Sequence, residues 1–387
     1  MERVIYLDNN ATTKVDDAVI EEMMPYFGQW YGNPSSMHSF GGRVAKSIQE
    51  ARGRIAELLG CQADEIIFTS GGTESNNTAI HGTLAAYPRK RKIITTRVEH
   101  PAVLSPCRQL EQQGYEIYEL SVDRQGRLNA DELAEVLDDN TALVSIMYAN
   151  NETGVIFPIE EIGALCRARG VPFHTDAVQA VGKVPIHLKD STIDMLSLSG
   201  HKIHAPKGIG VLFVRRGVRL VPFILGGHQE SGRRGGTENV PGIVGLGKAA
   251  QLAQQYLNDE NTRVRALRDA LEAKILATCP DSMVNGDRRN RLPNTLNVSF
   301  EYVEGESILM LLNQFGICAS SGSACTSGSL EPSHVMRAMG VPFTAAHGSV
   351  RFSLSRFTTQ EEVDFVGEKI GPIIHRLREL SPFVKSA

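Results

Sequence analysis

Residues 65–77 read EIIFTSGGTESNN. The first six form an apolar run of strand length, and the rest supply two glycines, a hydroxyl and the opening of a helix. Upstream, GRVAKSIQEARGRIAELLG (42–60) sets Val44, Ile48, Ala51, Ile55 and Leu58 at steps of four and three, one face of an amphipathic helix. Downstream come KIITT (92–96), ALVSIMY (142–148), VPFHTD (171–176), IDMLSLS (193–199) and IGVLFV (209–214), with helical stretches between most of them. Continuous apolar strands alternating with helices predict an α/β body with a mainly parallel sheet covered on both faces. After a helix near 240–275 the character changes. TLNVSFE (295–301), a helix near 305–316, RFSLSR (351–356) and a last helix with Thr359 and Glu362 in capping-box spacing predict a separate, smaller α+β domain.

The bulk properties agree with this size. A chain of 387 residues exceeds one average core. A formal net charge of -4 without a basic cluster argues against nucleic acid or an anionic membrane as the main partner. No window approaches the ~20 consecutive apolar residues of a membrane span. The N-terminus MERVIYLDNNATT lacks the apolar stretch of a signal peptide, so a cytoplasmic protein is expected. Six cysteines (61, 107, 166, 279, 318 and 325) are scattered without a CxxC, which indicates neither a disulfide framework nor a zinc ribbon. Most read as free core thiols. Cys325, in SSGSACTSGSL (320–330), lies in the most Gly- and Ser-rich stretch and does not fit that description.

In parallel sheets ligands sit beyond the carboxyl ends of the strands. Four apolar runs end in polar residues: SGGTESNN, EH, DAVQ and SGHK. Lys202, after a strand, is either a snorkelling surface lysine or, in a dry cleft, an amine made nucleophilic by desolvation and suited to a Schiff base with pyridoxal phosphate. Such a cofactor needs a carboxylate at its pyridine nitrogen, and Asp176 offers one unless it only caps the next helix. It needs a phosphate cup, which SGGTESNN provides by geometry and dipole unless it is merely a tight turn capped by Thr73. It needs a flat group against the ring; His100 serves unless it is structural. GIVGLGKA (242–249) nearly matches a P-loop but has Ala249 where a hydroxyl must reach magnesium, and it reads as a helix start with small packing residues. HKIH (201–204) lacks the further ligands of a zinc site.

The segments YLDNNATT (6–13), TSGGTESNN (69–77), ANNETG (149–154), HTDAVQAVGK (174–183), SGHKIHAPKGIG (199–210), SSGSACTSGSLEPSHV (320–335) and RFSLSRFTT (351–359) together closely resemble the cysteine desulfurases, pyridoxal-phosphate enzymes of the class V aminotransferase family. The likeness covers essentially the whole chain and is greatest to the NifS proteins of nitrogen fixation, with the housekeeping IscS-like sulfur donors as the alternative. It implies the aminotransferase-like fold of type I. A large cofactor-binding domain over 16–258 would hold a mainly parallel seven-stranded sheet. A small domain from 1–15 and 259–387 would carry the Cys325 loop (about 318–332), which its Gly/Ser composition predicts to be mobile.

The resemblance also implies roles. Lys202 would hold pyridoxal 5′-phosphate covalently and later move the substrate's α-proton. Asp176 would bind the pyridine nitrogen, Gln179 the phenolic oxygen, and His100 would stack on the ring. Gly72, Thr73, Ser199 and His201 would hold the phosphate, with Thr237 reaching in from the partner of a homodimer. Asn151 would contact cofactor and substrate, and Arg351 would grip the substrate carboxylate by two prongs, near Asn10. Many relatives read SGATES where this chain reads SGGTES, a difference expected to matter little. L-cysteine would yield L-alanine, its sulfur passing to a Cys325 thiolate and on to an acceptor or iron–sulfur scaffold protein, with His100 as the base for the thiol. Cys325 is also the residue a transient iron–sulfur ligand would use. A selenocysteine lyase, a lyase releasing sulfide directly and a non-catalytic iron–sulfur scaffold are the other readings.

Overall fold

The computed structural model describes residues 4–321 and 332–381. Its strands are β1 (Ile5–Tyr6), β2 (Ile66–Thr69), β3 (Lys92–Thr96), β4 (Glu116–Leu120), β5 (Thr141–Ser145), β6 (Phe173–Asp176), β7 (Met195–Ser199), β8 (Gly210–Val214), β9 (Ser282–Val284), β10 (Thr295–Phe300), β11 (Ile317–Cys318) and β12 (Ser349–Ser353). Seven of them form one sheet in the order β2-β8-β7-β6-β5-β3-β4. Only β8 runs against its neighbours, so the carboxyl ends of the other six lie along one edge. The mainly parallel sheet expected from the apolar runs is present. Its edge strand β4 escaped the sequence reading because EIYEL carries two glutamates in five residues and is buried only at Leu120.

Alternate residues of each strand face opposite layers, as the pleat requires. Ile94, Leu196, Val211 and Phe213 pack beneath the helices Ser39–Leu59, Ile159–Ala168 and Val240–Asp259. Ile93, Leu143, Met195 and Leu212 pack with Ile80 and Leu84 of helix Gly72–Ala86 and with Val103 and Leu110 of helix Pro101–Gln112. Each fully buried side chain of this kind contributes roughly 1.5–3 kcal/mol. The near-P-loop at 242–249 is the first half of helix Val240–Asp259. Its small residues admit close neighbours: a Cβ at Gly247 would stand 2.6 Å from the Cα of Ala51.

The stretch near 240–275 is two helices joined by a π-turn, Val240–Asp259, Glu260–Val264 and Arg265–Thr278. A second core follows, drawn from Ile5, Leu7 and residues 264–374. In it β9, β10 and β12 form an antiparallel sheet and β1 pairs with β11. Helices Arg265–Thr278, Gly305–Asn313 and Gln360–Leu380 cover it. The Thr359–Glu362 capping box forms as expected. Helices His334–Ala338 and Phe343–Ala346 instead pack on the first core. Among the described residues no helix is long and apolar enough to cross a membrane.

Candidate active site

The polar strand ends meet. Asp176 ends β6 and Ser199 ends the adjacent β7, which continues into the short turn Gly200–Lys202. Asn76 Nδ2 donates to Asp176 Oδ2 at 2.6 Å, and the Val178 N–H donates to Oδ1 at 3.0 Å. Both carboxylate oxygens are thus held by protein donors at the end of β6. β2 leads into helix Gly72–Ala86, whose first residues lie against Ser199: a Cβ on Gly72 would stand 3.5 Å from the Ser199 Cβ. Thr73 does not cap this helix; the cap position is Gly71 and the Thr73 side chain is exposed. β8 opens on Gly210, where a Cβ would meet the Gly71 backbone at 2.6 Å.

Lys202 is half-buried, and its Nζ donates to Asn10 O at 2.5 Å and Ala11 O at 2.8 Å. The segment 8–13 thus folds across the mouth of β7. Gln179 Nε2 donates to the same Asn10 carbonyl at 3.0 Å, while its Oε1 is buried without a partner. Asn10 is itself fixed, donating through Nδ2 to Thr295 Oγ1 at 2.9 Å and accepting from Asn294 at 3.1 Å. Its Nδ2 also reaches Asn151 O at 3.2 Å, and Arg351 Nη1 donates to that oxygen at 3.0 Å. One network thereby connects Lys202, Gln179, Asn10, Asn151 and Arg351. Thr237 lies outside it, exposed on a loop whose Arg234 pairs with Glu74 in the first turn of helix Gly72–Ala86. Cys325 lies outside the described residues.

His100 caps helix Pro101–Gln112 by accepting from the Ala102 N–H on Nδ1 at 3.1 Å. In that arrangement a neutral ring carries its hydrogen on Nε2. Burial pushes its pKa below 6.5, with Lys202 and His334 adding and Asp176 opposing. Burial, aided by Lys202 and Lys207, also pushes His201 down to about 4, so its Nδ1 meets Thr12 Oγ1 (3.1 Å) as a neutral ring. Among the described residues no cluster of His, Cys, Asp and Glu could hold a metal ion.

Several site residues were not singled out from the sequence. Asn76 partners Asp176 across 100 positions, and its buried Oδ1 has no partner. Glu99, pushed up to about 8 by burial, joins β3 to the segment after β5 by accepting from Thr96 and Met147. Buried Glu152 accepts from Ser333 Oγ at 2.6 Å, and His334 Nε2 donates to Glu99 O at 2.9 Å. Asp8 pairs with Arg351 at 2.8 Å. Each sits in a motif already quoted, and only long-range contact reveals it.

The Aminotransferase class-V family matches residues 5–366. The chain belongs to the class V aminotransferase family. A cysteine desulfurase of Nostoc sp. is 63% identical over 98% of this chain and 95% of its own length. Cysteine desulfurase NifS of Azotobacter vinelandii is 60% identical over 98% and 94%. Among solved structures a NifS-like protein superimposes with a TM-score of 0.91 at 39% identity, covering 97% of this chain and 100% of its own. This family's pyridoxal 5′-phosphate suits the residues present. A buried carboxylate, orphaned amide oxygens on Asn76 and Gln179, a helix N-terminus against Ser199 and a strand-end lysine all converge on the same sheet edge.

Proposed function

We propose that this chain is a cysteine desulfurase that converts L-cysteine to L-alanine and holds the sulfur as a persulfide on Cys325. The observation that carries the reading is the adjacency of Asp176 and Lys202 at the ends of β6 and β7, with the Gly71–Gly72 turn against Ser199. Pyridoxal 5′-phosphate, held by Lys202, Asp176, Gln179, Gly72, Thr73, Ser199 and His201, supplies an electron sink for the bond-breaking at the substrate's α-carbon. Asp176, oriented by Asn76 and Val178, would present its carboxyl group to the cofactor's pyridine nitrogen. Lys202, released from Asn10 O and Ala11 O, moves the α-proton at its Nζ. Arg351 and Asn10 orient the substrate carboxylate, and Asn151 ties the two together.

The choice of thiol has independent support. Burial raises the pKa of Cys61, Cys107 and Cys166 to about 12 and pushes Cys279 and Cys318 upward as well. A thiolate is the reactive form, so the five described cysteines are poor sulfur acceptors. The division into a large domain over 16–258 and a small one from 1–15 and 259–387 is supported by the two segregated cores, apart from helices His334–Ala338 and Phe343–Ala346. A homodimer with Thr237 of one chain at the other's phosphate is supported by Leu225, 80% exposed beside Gly235. Delivery of sulfur to iron–sulfur assembly for nitrogenase is the reading favoured by the likeness to NifS. A cytoplasmic setting accords with five unpaired cysteines among the described residues.

The test is direct. Purified protein is expected to absorb as a bound pyridoxal enzyme, and Lys202→Ala to abolish that covalent signature. Cys325→Ala should keep the absorbance yet form no persulfide from L-cysteine; alanine and sulfur released at the unaltered rate would sink the mechanism.

A further inference from the structure

The Arg351 side chain is 3% exposed. A guanidinium does not shed its proton, and a buried one left unpaired is costly. Here Nη2 donates to Asp8 Oδ1 at 2.8 Å and Nη1 to Asn151 O at 3.0 Å, whereas buried Nε has no partner among the described residues. Nε and Nη2 share the side edge of the guanidinium, the edge that takes a carboxylate through two parallel bonds. Asp8 uses one prong of it. The backbone around Asp8 is clamped: Ser353 N–H donates to Leu7 O at 2.8 Å and Asn9 N–H to Ser353 O at 3.2 Å. Its side chain is nevertheless 21% exposed, so it can turn toward water while the arginine stays fixed.

We propose that Asp8 is a stand-in anion for the substrate, neutralising Arg351 in the empty site and giving way to the incoming α-carboxylate. The inference rests on the reading of Arg351 as the carboxylate grip. The exchange keeps the charge at Arg351 balanced throughout. It replaces one hydrogen bond with two, which lets the substrate win although the displaced carboxylate stays tethered nearby. Asp8 therefore lowers affinity for every carboxylate ligand by competing for one site, and has no such effect on an amine without a carboxylate. It sets how tightly the amino acid's acid group is held.

The experiment titrates the full-length, cofactor-loaded enzyme with L-alanine and with ethylamine, its decarboxylated counterpart, following the cofactor absorbance. Arg351→Gln should weaken L-alanine by about tenfold or more with ethylamine unchanged; equal effects on both ligands would overturn the grip itself. Asp8→Asn should tighten L-alanine about fivefold, the worth of a partly exposed ion pair, again with ethylamine unchanged. It should also lower KM for L-cysteine more than it alters kcat. If Arg351→Gln behaves as stated but Asp8→Asn leaves L-alanine unchanged or weakens it, Asp8 only supports the arginine and the stand-in role falls. Loss of bound cofactor in both Asp8→Asn and Asp8→Ser would likewise overturn it.

Discussion

His100 shows how a cap constrains chemistry. With Nδ1 accepting from the Ala102 N–H, the neutral ring offers a hydrogen from Nε2 and has no free lone pair for a thiol's proton. The base role expected from the sequence thus becomes, on the proposed mechanism, a hydrogen bond that stabilises the Cys325 thiolate. Burial holds the ring's pKa below 6.5, so this donor form persists at neutral pH. Removing it should raise the thiol pKa and move the pH midpoint of persulfide formation upward in His100→Ala. The shift should be smaller in His100→Gln, whose amide can still donate. An acid limb that tracks the ring's own titration and vanishes in both variants would restore the base. Asp176 ends a strand, and Gln179, Lys202 and His100 follow one within four residues, a placement that made them candidates in the sequence. Asn76, Glu99, Glu152 and Asp8 were not, since what they do is fixed by partners far along the chain. The expectation that Gly72 is a mild replacement also needs adjusting. A Cβ there would approach Val178 Cγ2 at 2.8 Å, so an alanine requires that side chain to shift.

At the scale of elements, periodicity located the helices and apolar strands because both are written in consecutive residues. It failed where partners lie outside the segment. β4 is held by pairing with β3 rather than by its own burial, and the two-residue pair β1–β11 has no pattern to read. The close approach of helices Ser39–Leu59 and Val240–Asp259 is equally hidden, since it depends on Gly247 facing Ala51. Gly247→Ala gains roughly 1 kcal/mol of helix propensity and incurs overpacking of about 1–3 kcal/mol against backbone that cannot yield. Net destabilisation is expected, read as a lower denaturation midpoint with an unchanged m-value. A midpoint equal to or above that of the parent would mean the helices separate without cost.

At the scale of the whole molecule, one surface suits the proposed homodimer. Leu225 is 80% exposed, and the backbone of its loop packs against Gly235, two residues before exposed Thr237. If the proposed homodimer uses this surface, Leu225→Glu should shift the sedimenting species to monomer and loosen the cofactor as well; an unchanged dimer would direct the search to another face. Nothing in the sequence announced this surface, because an exposed leucine is ordinary until its neighbours are known. The described cysteines have a different molecular consequence. Each is disfavoured as a thiolate, chiefly by burial, and all but Cys279 also by nearby carboxylates, Asp8 in the case of Cys318. A protein that handles sulfane sulfur risks contaminating its own interior with stray polysulfide bonds. Here the scaffold is chemically insulated from its cargo, so repeated turnovers should leave the fold unmodified while sulfur accumulates at one position.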